Sequence, residues 1–426
     1  MEIITASYML PMTNGCPAVK NGAIVTELGK IIDVGTREEL VASYPEAKVE
    51  SYDEHVLMPG LVNAHCHLDL VSFHEERFAT DETLPQENEF TEALMASISY
   101  KQDLLPKQAT AAMQKGANRL IETGTTCVGN FTRFEGAFNL LDEMGLRAII
   151  FPEILAGKGE SAQESFEVAL ALVEKYIDQL PTQLQVGIGP FAPYLLSRNL
   201  LKIISQHSRD QMIPIQIHAA ESFAEMELFF DSQGPMMELF NYLGWKESPP
   251  AQRKTPVQYL ADIGFLEAPV TIIGGLHLSE QDFPLLARNL TKVIYCPISN
   301  KTLKHGVFPL GKLVESGIPI GLGTDIWNTR LGFNLWDEMR YALQKGSNPL
   351  PTAAELLRIA TLGGARVLGL DHVIGTLEKN KQSDYIAVHT HNFDGSELAL
   401  KRLVIETEPQ HVTTVVVGEN NLKTTR

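Results

Sequence analysis

The pattern of hydrophobic and polar positions changes near residue 58. Beyond that point, short apolar runs alternate with longer amphipathic stretches, such as 107–122 and 162–179. A strand followed by a helix, repeated along a chain, is typical of a parallel sheet. The apolar runs are eight in number: 61–67, 125–130, 147–153, 185–191, 213–219, 270–277, 292–297 and 320–325. Eight such units predict an α/β fold closed into a TIM-like (β/α)8 barrel.

Both ends of the chain have a different pattern, with short strands separated by turn signals. Residues 1–57 hold apolar runs between Asn-Gly and Gly turns, and strand patterns return near the C-terminal end. Because the ends of a domain usually lie close together, we predict that 1–57 and 376–426 form one small β-sandwich domain and that 58–375 form the barrel. The acidic stretch 73–90 is predicted to be a long loop over the first barrel strand.

Composition limits the classes of function. Of the 426 residues, 44% are hydrophobic and 20% are charged, which is enough apolar material for a large core. The net charge of −17 makes nucleic acid and anionic membrane surfaces unfavourable partners, but it does not exclude a small heterocyclic nucleoside. Four scattered cysteines, no signal-peptide pattern and no apolar run of about 18 residues predict a cytoplasmic protein that does not enter a membrane.

Two histidines stand close together at the end of the first apolar run. His65 and His67 in PGLVNAHCHL are separated by one residue, so in a strand their side chains lie on one face. If this run is the first barrel strand, both imidazoles point into the barrel mouth, where active sites of this fold lie. Such a pair suits a borderline divalent ion such as zinc, although two half-exposed strand histidines explain the spacing equally well.

Two later runs also end in polar side chains. His218 ends the fifth run, and Glu221 follows three residues later, where its carboxylate can act as general acid and base on a water held by a metal at His218. Asp325 ends the eighth run directly after Gly-Thr. Taken singly, a buried hydrogen-bonded histidine, a carboxylate at a helix N-terminus and an Asx turn explain these three residues as well.

The combination is more specific than its parts. His65, His67, His218 and Asp325 all fall at the carboxyl ends of apolar runs, and barrel active sites lie at that end. Three imidazoles and one carboxylate, with Glu221 beside them, predict a hydrolytic site for one divalent metal ion. Zinc is the expected ion, and the same donors accommodate iron or manganese.

With these motifs the sequence resembles the amidohydrolase superfamily, in its branch of cytosine deaminases and chlorohydrolases. The resemblance covers nearly the whole chain, from GAIVTELGKIIDVG through MPGLVNAHCHL, IHAAES, CPISN and GIPIGLGTD to IGTLEKNKQSDYIAV. Within that branch the chain is most similar to deaminases of methylthioadenosine and S-adenosylhomocysteine and of aminodeoxyfutalosine. FTEALMASISYKQ is similar to a helix near the substrate in those enzymes, and GPFAPYLLS is similar to their fourth-strand motif.

The resemblance implies an activity and a role for each candidate. It implies that His65, His67, His218 and Asp325 are metal ligands and that Glu221 is the proton shuttle. In that chemistry, water activated by the metal attacks a carbon bearing an exocyclic amine. Glu221 protonates a ring nitrogen and the leaving ammonia, and Asp325 accepts the proton of the water. The expected enzyme is a hydrolytic deaminase of an amino-purine nucleoside-like substrate, and a homodimer is common among similar proteins.

The polar residues around the metal group depart from the family pattern. Gly274 stands where the family has a water-polarising histidine on the sixth strand, and Phe191 replaces a histidine on the fourth. His277 is the predicted catalytic substitute, and His74 near the first strand is a second candidate. If the missing histidine limits the rate, Gly274→His is expected to raise activity on a 6-aminopurine.

Aromatic residues complete the predicted site. Phe191, Trp327 and Phe90 are expected to form an apolar wall for a flat heterocycle, although aromatic residues are more often part of a core. Two alternatives stay open: the same metal site hydrolysing another C–N or C–Cl bond, as in a triazine, pterin or cyclic amide, or a metal-binding protein that has lost catalysis. Gly274 and Phe191 favour the loss of catalysis, and the retention of Glu221 argues against it.

Overall fold

The structure, a computed structural model, describes residues 1–13, 17–78, 89–245, 248–326 and 332–425. Its strands form a mixed sheet from the two end segments and a ring of parallel strands between them. The strands are β1 (Glu2–Met9), β2 (Val19–Lys20), β3 (Gly22–Glu27), β4 (Lys30–Thr36), β5 (Lys48–Pro59), β6 (Leu61–Cys66), β7 (Thr125–Thr132), β8 (Arg147–Ile154), β9 (Leu184–Val186), β10 (Gly189–Pro190), β11 (Ile215–Ala219), β12 (Val270–Gly274), β13 (Lys292–Tyr295), β14 (Ile320–Leu322), β15 (Tyr385–His389), β16 (Val412–Val417) and β17 (Asn420–Thr424).

The parallel strands β6 to β14 form the predicted barrel. Each of the eight predicted apolar runs overlaps one of these strands, and the fourth run is divided between β9 and β10. The strands pair in two groups. In the first, β6, β7 and β8 pair in chain order and both β9 and β10 pair with β8; in the second, β11 to β14 pair in chain order. Parallel bridges from Ile188 to Ile215 and from Cys66 to Asp325 join the two groups. The prediction of a (β/α)8 barrel is therefore confirmed.

Helices surround the strands, and several begin at residues that cap a helix well. Ser161 and Thr255, for example, accept a hydrogen bond from the backbone N–H three residues later. The helices are α1 (Arg37–Ser43), α2 (Val71–Phe78), α3 (Glu89–Asp103), α4 (Pro106–Glu122), α5 (Gly136–Glu143), α6 (Ala162–Tyr176), α7 (Arg198–Gln211), α8 (Phe223–Asp231), α9 (Met236–Leu243), α10 (Pro256–Asp262), α11 (Asp282–Arg288), α12 (Pro297–Thr302), α13 (Leu310–Glu315), α14 (Leu335–Gln344), α15 (Ala353–Arg358), α16 (Gly364–Leu368) and α17 (Glu397–Glu406). None of the helices in the described ranges has both the length and the apolarity needed to cross a membrane.

The predicted loop at 73–90 is wrong at both of its ends. Helix α2 continues to Phe78, and α3 begins at Glu89. The charged residues of this stretch hid the helical spacing of its few apolar positions. Helix α3 brings Phe90 and Lys101 to the barrel mouth, as the contacts of those two side chains show.

The two end segments of the chain share one sheet. β1 pairs antiparallel with β3 and parallel with β5, and β5 pairs antiparallel with β15. Ile3 and Ile4 are neighbours on β1 and belong to different apolar clusters, so the sheet is covered on both faces. The small β domain built from both chain ends is confirmed, and the eight strands found in its described residues form one continuous hydrogen-bonded sheet. Its exact boundaries with the barrel stay a prediction.

A buried ion pair joins the barrel to this sheet. Arg147 begins β8, and Asp384 directly precedes β15. The Arg147 guanidinium donates two hydrogen bonds to Asp384, from Nε at 2.8 Å and from Nη2 at 3.0 Å. The backbone N–H of Gly418 donates a third at 2.9 Å. Two parallel bonds between a guanidinium and a carboxylate fix the relative orientation of the elements that carry them.

Candidate metal centre

The four predicted metal ligands lie together at the carboxyl ends of three barrel strands. His65 lies near the end of β6 and His67 just after it, His218 lies on β11, and Asp325 follows β14. One ligand atom from each residue lies within 4.8 Å of the ligand atoms of the other three. All four residues are buried, and none is more than 4% exposed. Segments far apart in the chain therefore converge on one small volume.

Hydrogen bonds to Nδ1 fix two of the imidazoles. The Nδ1 atom of His65 lies 3.1 Å from Oε1 of Gln216, and the Nδ1 atom of His218 lies 2.9 Å from the carbonyl oxygen of Phe191. Because both neighbours are acceptors, each Nδ1 carries the proton and each Nε2 keeps its lone pair. This is the tautomer that a metal-binding histidine needs.

The ligand atoms themselves fit a metal ion. The Nε2 atoms of His65 and His67 each lie 3.6 Å from Oδ1 of Asp325. Neither Nε2 atom has a hydrogen-bond partner in the part of the chain that the structure describes, although both are buried. Ser299 Oγ donates to the other carboxylate oxygen of Asp325 at 2.6 Å. Three imidazole nitrogens and one carboxylate oxygen form a four-ligand site for a divalent metal ion.

The third imidazole is supported by a buried ion pair. Nδ1 of His67 lies 3.1 Å from Nζ of Lys101 and 3.5 Å from Oε1 of Glu153. Lys101 donates to both oxygens of Glu153 at 2.6 Å. A protonated lysine can only donate, so in the 3.1 Å contact Nζ of Lys101 is the donor and Nδ1 of His67 is the acceptor. Glu153 holds Lys101 in place against His67 and compensates its charge.

The protonation states suit metal binding. Burial lowers the pKa of His218 to about 3 and holds the pKa of His67 well below its usual value. Burial acts to raise the pKa of Asp325, but contact with His65 and the hydrogen bond from Ser299 bring it down to about 2. At neutral pH His67 and His218 are therefore neutral and Asp325 is ionised, which are the forms that bind metal.

Glu221 lies beside this group, held by the start of α8. Its backbone N–H donates to Oε2 of Glu225 at 2.8 Å, and the backbone N–H of Glu225 donates to the hydroxyl of Ser222 at 3.1 Å. Glu221 is 5% exposed. Burial raises the pKa of Glu221 well above its usual range, and the charges of Asp325 and Glu225 raise it further. A carboxyl group in such a place can hold a proton at neutral pH.

The structure does not bring His277 into the metal group. Two glycines with positive φ, Gly274 and Gly275, turn the chain at the end of β12. The His277 Nε2 atom consequently lies 2.8 Å from the carbonyl oxygen of His305 instead of facing the ligands. The catalytic role predicted for His277 stays a prediction. The side chain of His74, the second candidate, lies outside the described residues, and so does Trp327.

Two of the three predicted aromatic residues, Phe191 and Phe90, lie against the site. Phe191 stacks on His218 with ring centroids 4.6 Å apart. Phe90 packs edge-on against His305 at 4.9 Å. Phe131, which the sequence analysis did not single out, packs against three of the imidazole rings. The contact of Phe191 and Phe90 with a substrate stays a prediction.

Sequence reasoning also missed four titratable residues of the site, Glu153, Glu225, Lys101 and His305. Glu153 ends the third apolar run, so the rule that found Asp325 could have found it. Glu225 stands three residues after Ser222, the spacing of a capping box. Lys101 lies in FTEALMASISYKQ, which the resemblance assigned to a helix near the substrate, but nothing in the sequence singled out this lysine. His305 lies in a short loop after α12, and no local pattern marks it.

The chain is similar to known proteins along most of its length. It is 27% identical over 406 residues to a 5-methylthioadenosine/S-adenosylhomocysteine deaminase of Thermodesulfovibrio yellowstonii, an alignment that covers 91% of this chain and 84% of that one. The crystal structure of Helicobacter pylori aminofutalosine deaminase in complex with methylthio-coformycin has a TM-score of 0.84 and 23% identity, with 99% of this chain and 100% of that chain covered.

A second solved structure shares the fold. An adenosine deaminase from Xanthomonas campestris with bound zinc has a TM-score of 0.83 and 22% identity, with 99% of this chain and 92% of that chain covered. The sequence pattern of the Amidohydrolase family matches residues 56–421. By that match, which includes every residue of the metal group, the chain belongs to the amidohydrolase family.

Proposed function

We propose that the chain is a metal-dependent hydrolytic deaminase of an amino-purine nucleoside-like substrate, a 5′-modified adenosine or aminodeoxyfutalosine. The observation that carries the proposal is the buried group of three imidazoles and one carboxylate with a fifth, proton-holding side chain beside it. The substrate class rests on the relatives, since one is named for 5-methylthioadenosine and S-adenosylhomocysteine and another for aminofutalosine.

We assign His65, His67, His218 and Asp325 as the ligands of a single divalent ion. Zinc fits best, because it takes four nitrogen and oxygen donors in tetrahedral geometry, and a solved relative binds it. When bound, such an ion acts as a Lewis acid and makes water a nucleophile at neutral pH. The ligand residues hold it, and the surrounding apolar rings exclude other water from the site.

Glu221 and Asp325 handle the protons of the reaction. Hydrolytic deamination adds water to the carbon bearing the amine and releases ammonia, so a ring nitrogen and then the amine must be protonated. Glu221 holds a proton because it is buried, and it delivers that proton to the ring nitrogen. Asp325 is ionised, with one oxygen held by Ser299, and it accepts the proton that the water loses. Glu221 relays that proton to the leaving amine, and the hydroxyl of the adduct reprotonates Glu221 as the carbonyl group forms.

The flat base is proposed to lie against the aromatic side chains of the barrel mouth. Phe191 is fixed by its stacking on His218, and Phe90 is partly exposed on α3. We retain Phe191 and Phe90 as substrate-binding residues on this basis, and Trp327 on the basis of the sequence alone. The rings of Phe191 and Phe90 would hold the purine edge toward Glu221, and the sugar with its 5′ group would point out of the barrel.

Ammonia release from a panel of substrates tests the proposal. Metal-replete protein is assayed with 5′-methylthioadenosine, S-adenosylhomocysteine, 5′-deoxyadenosine and aminodeoxyfutalosine, and with a triazine, a pterin and a cyclic amide as comparators. We expect turnover of at least one 6-aminopurine nucleoside and none of the comparators. Turnover of a comparator alone would favour the alternative C–N or C–Cl hydrolase. Binding of a nucleoside without turnover of any compound would favour a protein that has lost catalysis.

Cellular location and assembly are proposals of the same kind. Cys66, Cys127 and Cys296 are buried and free. We therefore propose a reducing, cytoplasmic compartment, which fractionation of cells producing the protein would check. We also propose a homodimer, and light scattering coupled to size-exclusion chromatography would give its mass.

A further inference from the structure

The position that lacks the family histidine has no room for a side chain. Gly274 ends β12 with a φ of +98°, a backbone conformation that other residues rarely adopt. A Cβ atom placed there would lie 2.9 Å from Cβ and 3.1 Å from Cγ of Glu221. Any larger residue would displace Glu221. An imidazole that acts on Glu221 must therefore come from another part of the chain.

His305 comes from the loop between α12 and α13, and its backbone is held on both sides. Its N–H donates to the carbonyl oxygen of Asn300 at 2.9 Å. Its own carbonyl oxygen lies 2.8 Å from Nε2 of His277, which donates to it. The loop is thereby fixed at the residue whose side chain points inward. The predicted substitute, His277, contributes to the site through this bond.

The imidazole of His305 faces the carboxyl group of Glu221. Nδ1 of His305 lies 3.6 Å from Oε1 of Glu221, and the side chain of His305 is 1% exposed. Neither ring nitrogen has a hydrogen-bond partner within the described ranges. A buried imidazole with two unsatisfied nitrogens is costly unless it serves a site. Phe90 packs edge-on against the ring and limits its movement.

We propose that His305 is a positioning residue for Glu221 and replaces the histidine missing at Gly274. Its Nδ1–H group donates to Oε1 of Glu221, so that Oε2 is left free to carry the proton between water and the purine ring. The separation of 3.6 Å shortens to a hydrogen bond when substrate closes the site, as catalytic contacts commonly do. His305 keeps its own proton throughout. The inference rests on the proposed deaminase activity, because it assigns a partner to the proton shuttle.

Two substitutions at His305 test this role. His305→Leu removes the donor but keeps the apolar volume, and His305→Asn keeps an N–H donor near the position of Nδ1. We expect His305→Leu to lower kcat by about 30- to 100-fold, the effect of a misplaced catalytic group, with KM changed less than about threefold. His305→Asn should recover most of that loss. Metal content and melting temperature should stay close to wild type in both. His372→Leu, at an exposed histidine, is the matched control.

A double mutant separates positioning from packing. If His305 acts through Glu221, then His305→Leu has no further effect on kcat in the Glu221→Gln background. A wild-type kcat in His305→Leu, an equal loss in His305→Leu and His305→Asn, or additive losses in the double mutant would each overturn the inference. In all three cases the wild-type enzyme is active, so the proposed function stands. A wild-type protein that deaminates no substrate would overturn the proposed function, and the role of His305 with it.

Discussion

Glu221 lies beside the metal ligands but is not itself one of the four grouped ligand residues. We therefore expect Glu221→Gln to keep a metal content near wild type and to lower kcat by at least about 100-fold, the usual contribution of a general acid and base. Elemental analysis and ammonia release measure the two effects. Asp325→Asn is the control, because it removes a ligand and should lose metal. Loss of metal from Glu221→Gln would show that the roles are wrongly assigned.

The glycine beside Glu221 gives a second prediction at this scale. The structure reverses the sequence-based expectation that a histidine at Gly274 raises activity, because a Cβ atom there would push against Glu221. We expect Gly274→Ala to lower kcat at least about tenfold, since displacement by a fraction of an ångström misplaces a catalytic group. Gly317→Ala controls for backbone strain, as its φ is also positive and nothing lies within 4 Å of its Cβ position. Equal kcat values in the two variants would contradict the steric explanation.

Single residues of the site were predictable only where a rule of the fold applied to them. The metal ligands could be predicted because barrel active sites use the carboxyl ends of strands. Glu221 followed from its distance to His218 in the sequence. His305 could not be predicted, because its contact with Glu221 joins two loops that are distant in the chain. Only the packing of the barrel brings those loops together.

A buried ion pair holds helix α3 against the barrel. Lys101 on this helix and Glu153 on β8 are both buried and hydrogen-bonded to each other. Lys101→Met leaves the carboxylate of Glu153 without a counter-charge, so we expect the free energy of unfolding to fall by about 3 to 5 kcal/mol. Urea unfolding of metal-free protein measures the change. Lys107→Met, at an exposed lysine of α4, should change it by less than about 0.5 kcal/mol. A similar small change in both variants would contradict this account.

At the scale of elements, hydrophobic periodicity predicted the barrel strands but missed helix α2. All eight apolar runs became strands because their β-branched and apolar residues are buried on both sides in a parallel sheet. Helix α2 was missed, since its charged sequence, VSFHEERF, has few apolar positions to show a period. Tertiary contacts stabilise it, and such contacts cannot be read from local pattern.

The ion pair between Arg147 and Asp384 connects the two parts of the molecule. Their side chains are 7% and 2% exposed. We expect Arg147→Met to lower the free energy of unfolding by about 3 to 5 kcal/mol, because a buried carboxylate loses its partner. Arg209→Met removes an exposed ion pair with Glu267 and should cost less than about 1 kcal/mol. Denaturant unfolding compares the two variants, and equal effects would argue against a joining role for the buried pair.

Metal binding is expected to stabilise the whole fold. Its ligands come from the first, fifth and last barrel strands, so a bound ion links distant parts of the chain. An ion present at 100 times its Kd adds about 2.7 kcal/mol, and chelation should therefore lower the melting temperature by several degrees. Calorimetry measures the shift. Asp325→Asn should show a much smaller shift, and an equal shift in the variant would place the ion elsewhere.

The architecture of the whole molecule could be predicted from the sequence, but the contact that joins the barrel to the β domain could not. The barrel and the terminal β domain were both visible as changes of period. The bidentate contact from Arg147 to Asp384 was not, because it depends on how the finished sheet packs against the barrel. Arg147 begins one apolar run and Asp384 directly precedes another. Both positions are common for charged residues, so neither predicts an ion pair.

The shared sheet has a consequence for biosynthesis. β5 is made early, but its neighbour β15 leaves the ribosome only after the entire barrel has been translated. At ordinary elongation rates that delay is about 15 to 65 s. During this time the nascent chain presents an unpaired β5 edge, which is the kind of surface on which chains aggregate. We expect chaperones that hold translating polypeptides to engage this edge until the last strands arrive.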